Sequence, residues 1–243
     1  SAWPQAARRY CAPNDKRNAM FAQLNRSAYL RIIPFVLFMA LLAARGNLPA
    51  DTSFDLRWIY GASTLLVGGL LLWWWREYGE LTRQNFPTAG ELSLAIVVGL
   101  AVFGLWIVLD APWMVLGEPG AKFVPLDAEG AIVWPLVVVR LVGAALVVPV
   151  MEELFWRSFI MRWVQNPVFE SVDPRRVGVK AIVLSTFVFV LAHTLWLAAA
   201  VAGLAYALLY RQTGKLWVAV IAHAVTNFVL GLWVLRTGNW AFW

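Results

Sequence analysis

The chain has 243 residues, of which 61% are apolar and 14% charged, against roughly 45–50% and 25% in an ordinary soluble domain. This excess, with 15 Trp, points to a polytopic membrane protein, since Trp concentrates at membrane interfaces. Disorder is excluded, and so are a disulfide scaffold and a thiolate metal site, because Cys11 is the only cysteine. The net charge of +6 needs no nucleic-acid partner, because loop Lys and Arg account for it in a membrane protein.

Residues 1–28 hold Arg8, Arg9, Lys16, Arg17 and Arg26 without the apolar run of a signal peptide, and read as a cytoplasmic N-terminal segment. Seven apolar stretches follow: Tyr29 to Ala44, Trp58 to Trp75, Leu92 to Leu109, Ile132 to Trp163, Val179 to Leu195, Trp196 to Tyr210 and Leu216 to Leu235. The predicted fold is all-α, a transmembrane bundle of seven or eight helices, with residues 29–130 forming its N-terminal part. Fifteen of the 20 Lys and Arg fall on the N-terminal side of the bilayer, which predicts a cytoplasmic N-terminus. The many Trp read as interface belts.

The run from Ile132 to Trp163 would be about 48 Å long as one straight helix, too much for a hydrocarbon core of about 30 Å. Pro149 is expected to bend it. The two stretches around His193 pose the reverse problem and form a short hairpin.

Charged groups in a span cost about 2.5–3.5 kcal/mol each and are functional candidates by default. Here they are Arg140, Glu152, Glu153, Arg157, His193 and His223, joined by the polar Asn227. Glu153 and Arg157 stand four residues apart, share a helix face and can pair, whereas Glu152 is rotated about 100° away and is left for another partner. Phe189 and His193, and His223 and Asn227, repeat the four-residue spacing. For Arg140 a structural ion pair is expected, with neutralising the acidic pair or binding a substrate carboxylate as the alternatives. Two histidines, a carboxylate and an amide suit hydrolysis at a buried carbonyl, which needs a group to take a proton from water and donors to hold the oxyanion.

Glu152-Glu153-x-x-x-Arg157, Phe189-x-x-x-His193 and His223-x-x-x-Asn227, in this order and each in an apolar span, resemble the CAAX-protease and bacteriocin-processing (CPBP, or Abi) family of intramembrane proteases, best known for the type II CAAX prenyl endopeptidases. The likeness runs over roughly Leu136 to Leu235. Phrases such as Arg31 to Leu42 also resemble the CAAX-protease-related proteins found beside exosortase systems. The resemblance makes 131–243 the catalytic core and implies an endopeptidase of a bacterial inner membrane acting on a peptide or protein. It implies that Glu152 activates water with help from His193, that His223 and Asn227 hold the oxyanion, and that Glu153, Arg157 and Phe189 support the site. Ser158 replaces a Gly common in the family, a change expected to affect packing.

No cofactor is favoured. The alternative is a zinc ion held by Glu152, His193 and His223, although His-Glu-x-x-His is absent. A non-catalytic scaffold, immunity or chaperone protein using the same bundle is the reading from another class, and a transporter is disfavoured by the lack of visible repeats. The catalytic cavity is expected to open toward the cytoplasm.

Overall fold

The computed structural model describes residues 24–49, 54–117 and 123–243. The expectations for Arg8, Arg9, Cys11, Lys16 and Arg17 lie outside these residues. Seven helical runs follow one another, α1 (Arg26–Asn47), α2 (Trp58–Trp73), α3 (Ala89–Trp106), α4 (Trp134–Gln165), α5 (Val179–Leu191), α6 (Trp196–Thr213) and α7 (Leu216–Thr237). No strand occurs among the described residues. Each run falls on one of the seven predicted stretches.

α1, α3, α4 and α7 are long and apolar enough to cross a bilayer. The outward faces carry side chains that water would not tolerate in such number: Leu65 is 79% exposed, Leu72 72%, Val97 63% and Val179 70%. Exposed Trp73 and Trp163 mark one end of the bundle and exposed Trp113 and Trp134 the other, as interfacial anchors do. This is a multi-pass membrane protein.

Helix α4 departs from a plain Pro149 kink. It runs 32 residues and widens twice into π-helical turns, at Gly143–Val147 and at Leu154–Met161, on either side of the short α-helical stretch Val148–Glu153 that holds Pro149. A proline has no N–H to give and crowds the carbonyl four residues back. The π turn just ahead of Pro149 accommodates this without breaking the helix.

α3 and α7 are packed so closely that a Cβ on Gly99 would lie 2.5 Å from the Ala222 carbonyl oxygen. The hydroxyl of Thr226 uses this approach to reach the Gly99 carbonyl at 2.8 Å. Small residues at such contacts let membrane helices meet through dispersion and hydrogen bonds, which must supply the association where water cannot.

α5 has only 13 residues, about 20 Å, too short for the hydrocarbon core. The expected span to Leu195 therefore stops at Leu191, and His193 lies in the turn leading to α6. Backbone groups at membrane depth need protein partners, and the segment before α4 provides them. Leu116 N–H donates to Thr194 O at 2.7 Å, and the Trp196 indole donates to Trp113 O at 3.1 Å.

The end of the bundle rich in Arg is closed by a polar cluster. Glu80, in the α2–α3 connection, pairs with Arg31 of α1 at 2.7 Å and with Arg162 of α4. Ser158 sits at its centre: its hydroxyl donates to Glu80 at 2.5 Å and accepts from Arg31 Nε and Arg162 Nη2, each at 2.8 Å. Ser158 was expected to affect packing more than chemistry, and its hydroxyl serves the structure by joining α1, α4 and the connection. Burial favours the neutral acid of Glu80, but the two guanidinium groups and the Ser158 hydroxyl outweigh it and hold the carboxyl below its ordinary range.

Candidate active site

The middle of α4 is fixed by its neighbours before any chemistry is considered. Phe155 stacks on Phe35 of α1, with ring centres 4.0 Å apart, and Trp156 meets Phe189 of α5 edge-on at 5.7 Å. The Arg157 guanidinium lies over Phe189 at 4.6 Å and Tyr206 at 5.5 Å, and donates to Gly203 O at 3.2 Å. This clamp across α5 and α6 leaves Arg157 2% exposed and Glu153 fully buried.

Glu153 does more than pair within its helix. Its Oε2 faces Arg157 Nε at 3.2 Å, as the spacing predicted, and its Oε1 accepts from His223 Nδ1 of α7 at 3.0 Å. The carboxylate thus ties two of the three motifs together. His223 is also stacked on Tyr206, with ring centres 5.0 Å apart and planes 18° from parallel. Tyr206 is held in turn by donating to Thr226 at 2.8 Å, the same hydroxyl that reaches Gly99.

Glu152 is half-buried, and its Oε2 is enclosed without a hydrogen-bond partner. His193 is half-buried, with Nδ1 2.8 Å from Phe189 O. A carbonyl only accepts, so Nδ1 carries the proton there and Nε2 is left with its lone pair in the neutral ring. Phe189 stacks against this imidazole at 4.3 Å and Trp106 meets it edge-on at 5.9 Å. Glu152, His223 and Arg157 all lie within electrostatic reach of His193.

Asn227 donates from Nδ2 to Ala144 O at 2.8 Å, inside the first π turn of α4. The widened turn exposes a carbonyl that a regular helix would use itself. Asn227 also lines a cavity of about 200 Å³ with Tyr60, Trp106, Arg140, Ala144 and Trp243. Those residues sit at the end away from Arg26, Arg162 and Lys215, so the cavity at Asn227 lies opposite the expected cytoplasmic opening.

Arg140 departs from expectation too. Among the described residues it has no acidic partner: its guanidinium lies over the Tyr60 ring at 4.4 Å and over Phe123 at 5.6 Å, with Nε buried and unbonded. A cation held on aromatic faces replaces the ion pair.

The zinc alternative does not fit this arrangement. Among the described residues no three His, Cys, Asp or Glu side chains gather closely enough to hold a metal ion. No step below passes through a metal.

The motifs gave no sign of Tyr206, Thr226, Trp106 or Tyr60. Trp106 read as an interface residue, yet it meets His193 and lines the cavity. Tyr206, fully buried in the Ala-rich face of α6, was detectable only as a large aromatic among small residues.

Neither the curated proteins nor the solved structures contain a match to this chain. Residues 134–229 match type II CAAX prenyl endopeptidase Rce1-like proteins, and this stretch holds Arg140 and all three motifs, so the segment that forms the candidate site is similar to that family of CAAX-type proteases.

Proposed function

We propose that this protein is an intramembrane endopeptidase that hydrolyses a peptide bond of a membrane-associated protein or peptide with water activated by Glu152. The observation that carries the reading is the contrast between adjacent carboxylates: Glu153 is ion-paired with Arg157 and accepts from His223 through Oε1, whereas Glu152, its Oε2 enclosed, has neither an ion pair nor a hydrogen bond among the described residues. Glu152 takes a proton from water as the water oxygen attacks the substrate carbonyl, and later returns it to the departing amine. His193, with its Nε2 lone pair, orients the water.

The tetrahedral oxyanion is held by His223 and Asn227. His223 gives Nδ1–H to Glu153, so it needs a second proton to donate from Nε2, and Glu153 supplies the counter-charge. Asn227 uses one amide hydrogen on Ala144 and keeps the other for the oxyanion. A general base contributes about 10²–10⁴-fold and one oxyanion donor about 10²–10³-fold, so both parts are required.

The test is Glu152→Gln in the purified protein in proteoliposomes, followed by mass spectrometry on peptides from a membrane proteome. The expected result is cleavage by the parent protein and none by the variant, with unchanged thermal unfolding. Cleavage that persists in the variant removes Glu152 as base, and a parent protein that cleaves nothing favours a binding role for the bundle.

A further inference from the structure

The connection between α4 and α5 turns back over the C-terminus of α6 at the Arg-rich end of the bundle. Its Pro174–Arg176 turn packs against α6, and between the two lies a cleft of about 490 Å³ lined by Arg175, Leu208, Arg211 and Gln212. No carboxylate lines it among the described residues. Asp173, the acidic residue of the turn, is engaged elsewhere: its side chain accepts from the Arg175 backbone N–H at 3.0 Å and lies 3.9 Å from Arg176 Nε.

The Arg175 guanidinium is held in place before any ligand arrives. Nη2 donates to Thr213 O at 2.7 Å, one of the carbonyls left over at the end of α6. The group rests on Gly214, where a Cβ would come within 3.0 Å of its Cζ and Nε. Gly214 closes α6 with φ +71°, so the residue that ends the helix also lets the guanidinium approach it. The rest of the Arg175 fork makes no hydrogen bond or ion pair among the described residues, and neither does the exposed side chain of Arg211. Two guanidinium groups with N–H donors to spare form a receptor for a phosphate, whose oxygens Arg meets through paired hydrogen bonds.

Position decides which phosphate. Leu208 is 49% exposed and Leu204 40%, and with Arg211 they form one row on the outer face of α6, since three- and four-residue steps stay on one side of a helix. The row is about 10 Å long, apolar toward the middle of the bundle and cationic at the end that exposed Trp163 marks. A soluble phosphate has no use for the leucines, whereas a phospholipid sets its phosphate at the interface and its chain below it. We propose that Arg175 and Arg211, aided by Gln212, bind the phosphodiester headgroup of an anionic phospholipid whose acyl chain lies along Leu208 and Leu204. The bound lipid ties the turn before α5 to the end of α6, the helix that stacks Tyr206 on His223.

The experiment uses the full chain in nanodiscs that mix phosphatidylglycerol with phosphatidylcholine. The protein is released, and the lipids that stay on it are quantified by native mass spectrometry. Phosphatidylglycerol should be retained about tenfold above its share of the bilayer, as two Arg side chains near a headgroup can supply. Arg175→Gln combined with Arg211→Gln should bring retention down to the bilayer ratio. Arg76→Gln combined with Arg83→Gln, which removes two exposed cations of the α2–α3 connection outside the cleft, should leave it unchanged. Arg211→Gln alone removes a side chain without a partner in the described fold, so it should lower retention even if the Arg175 variant unfolds. Retention at the bilayer ratio in the parent protein, or retention that survives the Arg211 substitution, overturns the proposal. An equal fall in the Arg76 and Arg83 control overturns it too, by assigning the preference to diffuse surface charge. Displacement of the lipid by equimolar glycerol phosphate does the same, since the cleft would then take a soluble phosphate.

Discussion

Glu153 Oε1 and His223 Nδ1 lie 3.0 Å apart across the α4–α7 contact, so a residue that the sequence pairs with its own helix also sets the orientation of the histidine in the last motif. If His223 holds the oxyanion, Glu153 acts through it as a positioning residue. Glu153→Gln should lower kcat by about 10²-fold, with KM little changed, as loss of one oxyanion donor does. Steady-state kinetics on Glu153→Gln, His223→Ala and the double variant check this. The double variant should be hardly worse than His223→Ala alone, because residues acting as a unit are not additive. Fully additive losses would show that the two carboxylate contacts serve different ends.

The α3–α7 approach carries its own expectation. Gly99→Ala would drive a methyl group against the Ala222 carbonyl oxygen, which cannot swing aside as a flexible side chain could. The helices would separate, the Thr226 bond to Gly99 O would lengthen, and Tyr206 would lose its anchor above His223. Overpacking of this kind costs about 1–3 kcal/mol. A lower midpoint of thermal unfolding in detergent, accompanied by reduced cleavage, is the expected outcome.

Acid should loosen the Arg-rich end. Glu80 is held below its ordinary carboxyl range by Arg31, Arg162 and Ser158 against the opposing effect of burial. Its stabilising contribution is therefore complete above the value of about 4.5 that it has when unfolded, and is lost as pH falls through the lower native value. Unfolding midpoints recorded from pH 7 down to pH 3 should drop on the acid side. Glu80→Gln should be less stable at pH 7 and should flatten that drop. Ser158→Gly should weaken the same cluster, since both arginines lose their shared acceptor.

Under the proposed glutamate mechanism, cleavage should persist after prolonged treatment with a tight divalent chelator. Assay of the stripped protein, with total metal measured in parallel, checks this. Activity lost on stripping and restored by zinc would require Glu152, His193 and His223 to rearrange, because no three such side chains gather closely enough to hold a metal ion among the described residues.

Much of the architecture was legible because apolar length and spacing are local signals. All seven stretches appear as helices, and the four-residue separation of Glu153 and Arg157 gave their pairing directly. The link from Glu153 to His223 joins residues 70 positions apart, and no one-dimensional pattern reports such a contact. The same holds for Ser158, whose role depends on Arg31 and Glu80 from two other segments. Arg140 was read through the general rule that buried charges pair with opposite charges. Here Tyr60 and Phe123 offer ring faces instead. The π turns were hidden because they come from helix–helix packing around Pro149 and leave no residue signature of their own.

The first π turn governs how the two faces of α4 are phased. It places extra backbone between Arg140 and the Glu152–Glu153 pair, and each residue of an α-helix advances the side-chain direction by about 100°. Regular winding through the same residues of Gly143–Val147 would turn Arg140 by about that angle against the glutamates, whereas deleting one residue there would restore regular winding and keep their phase. A single deletion is thereby absorbed by the widened turn, so sequence length in this five-residue window matters as much as its composition.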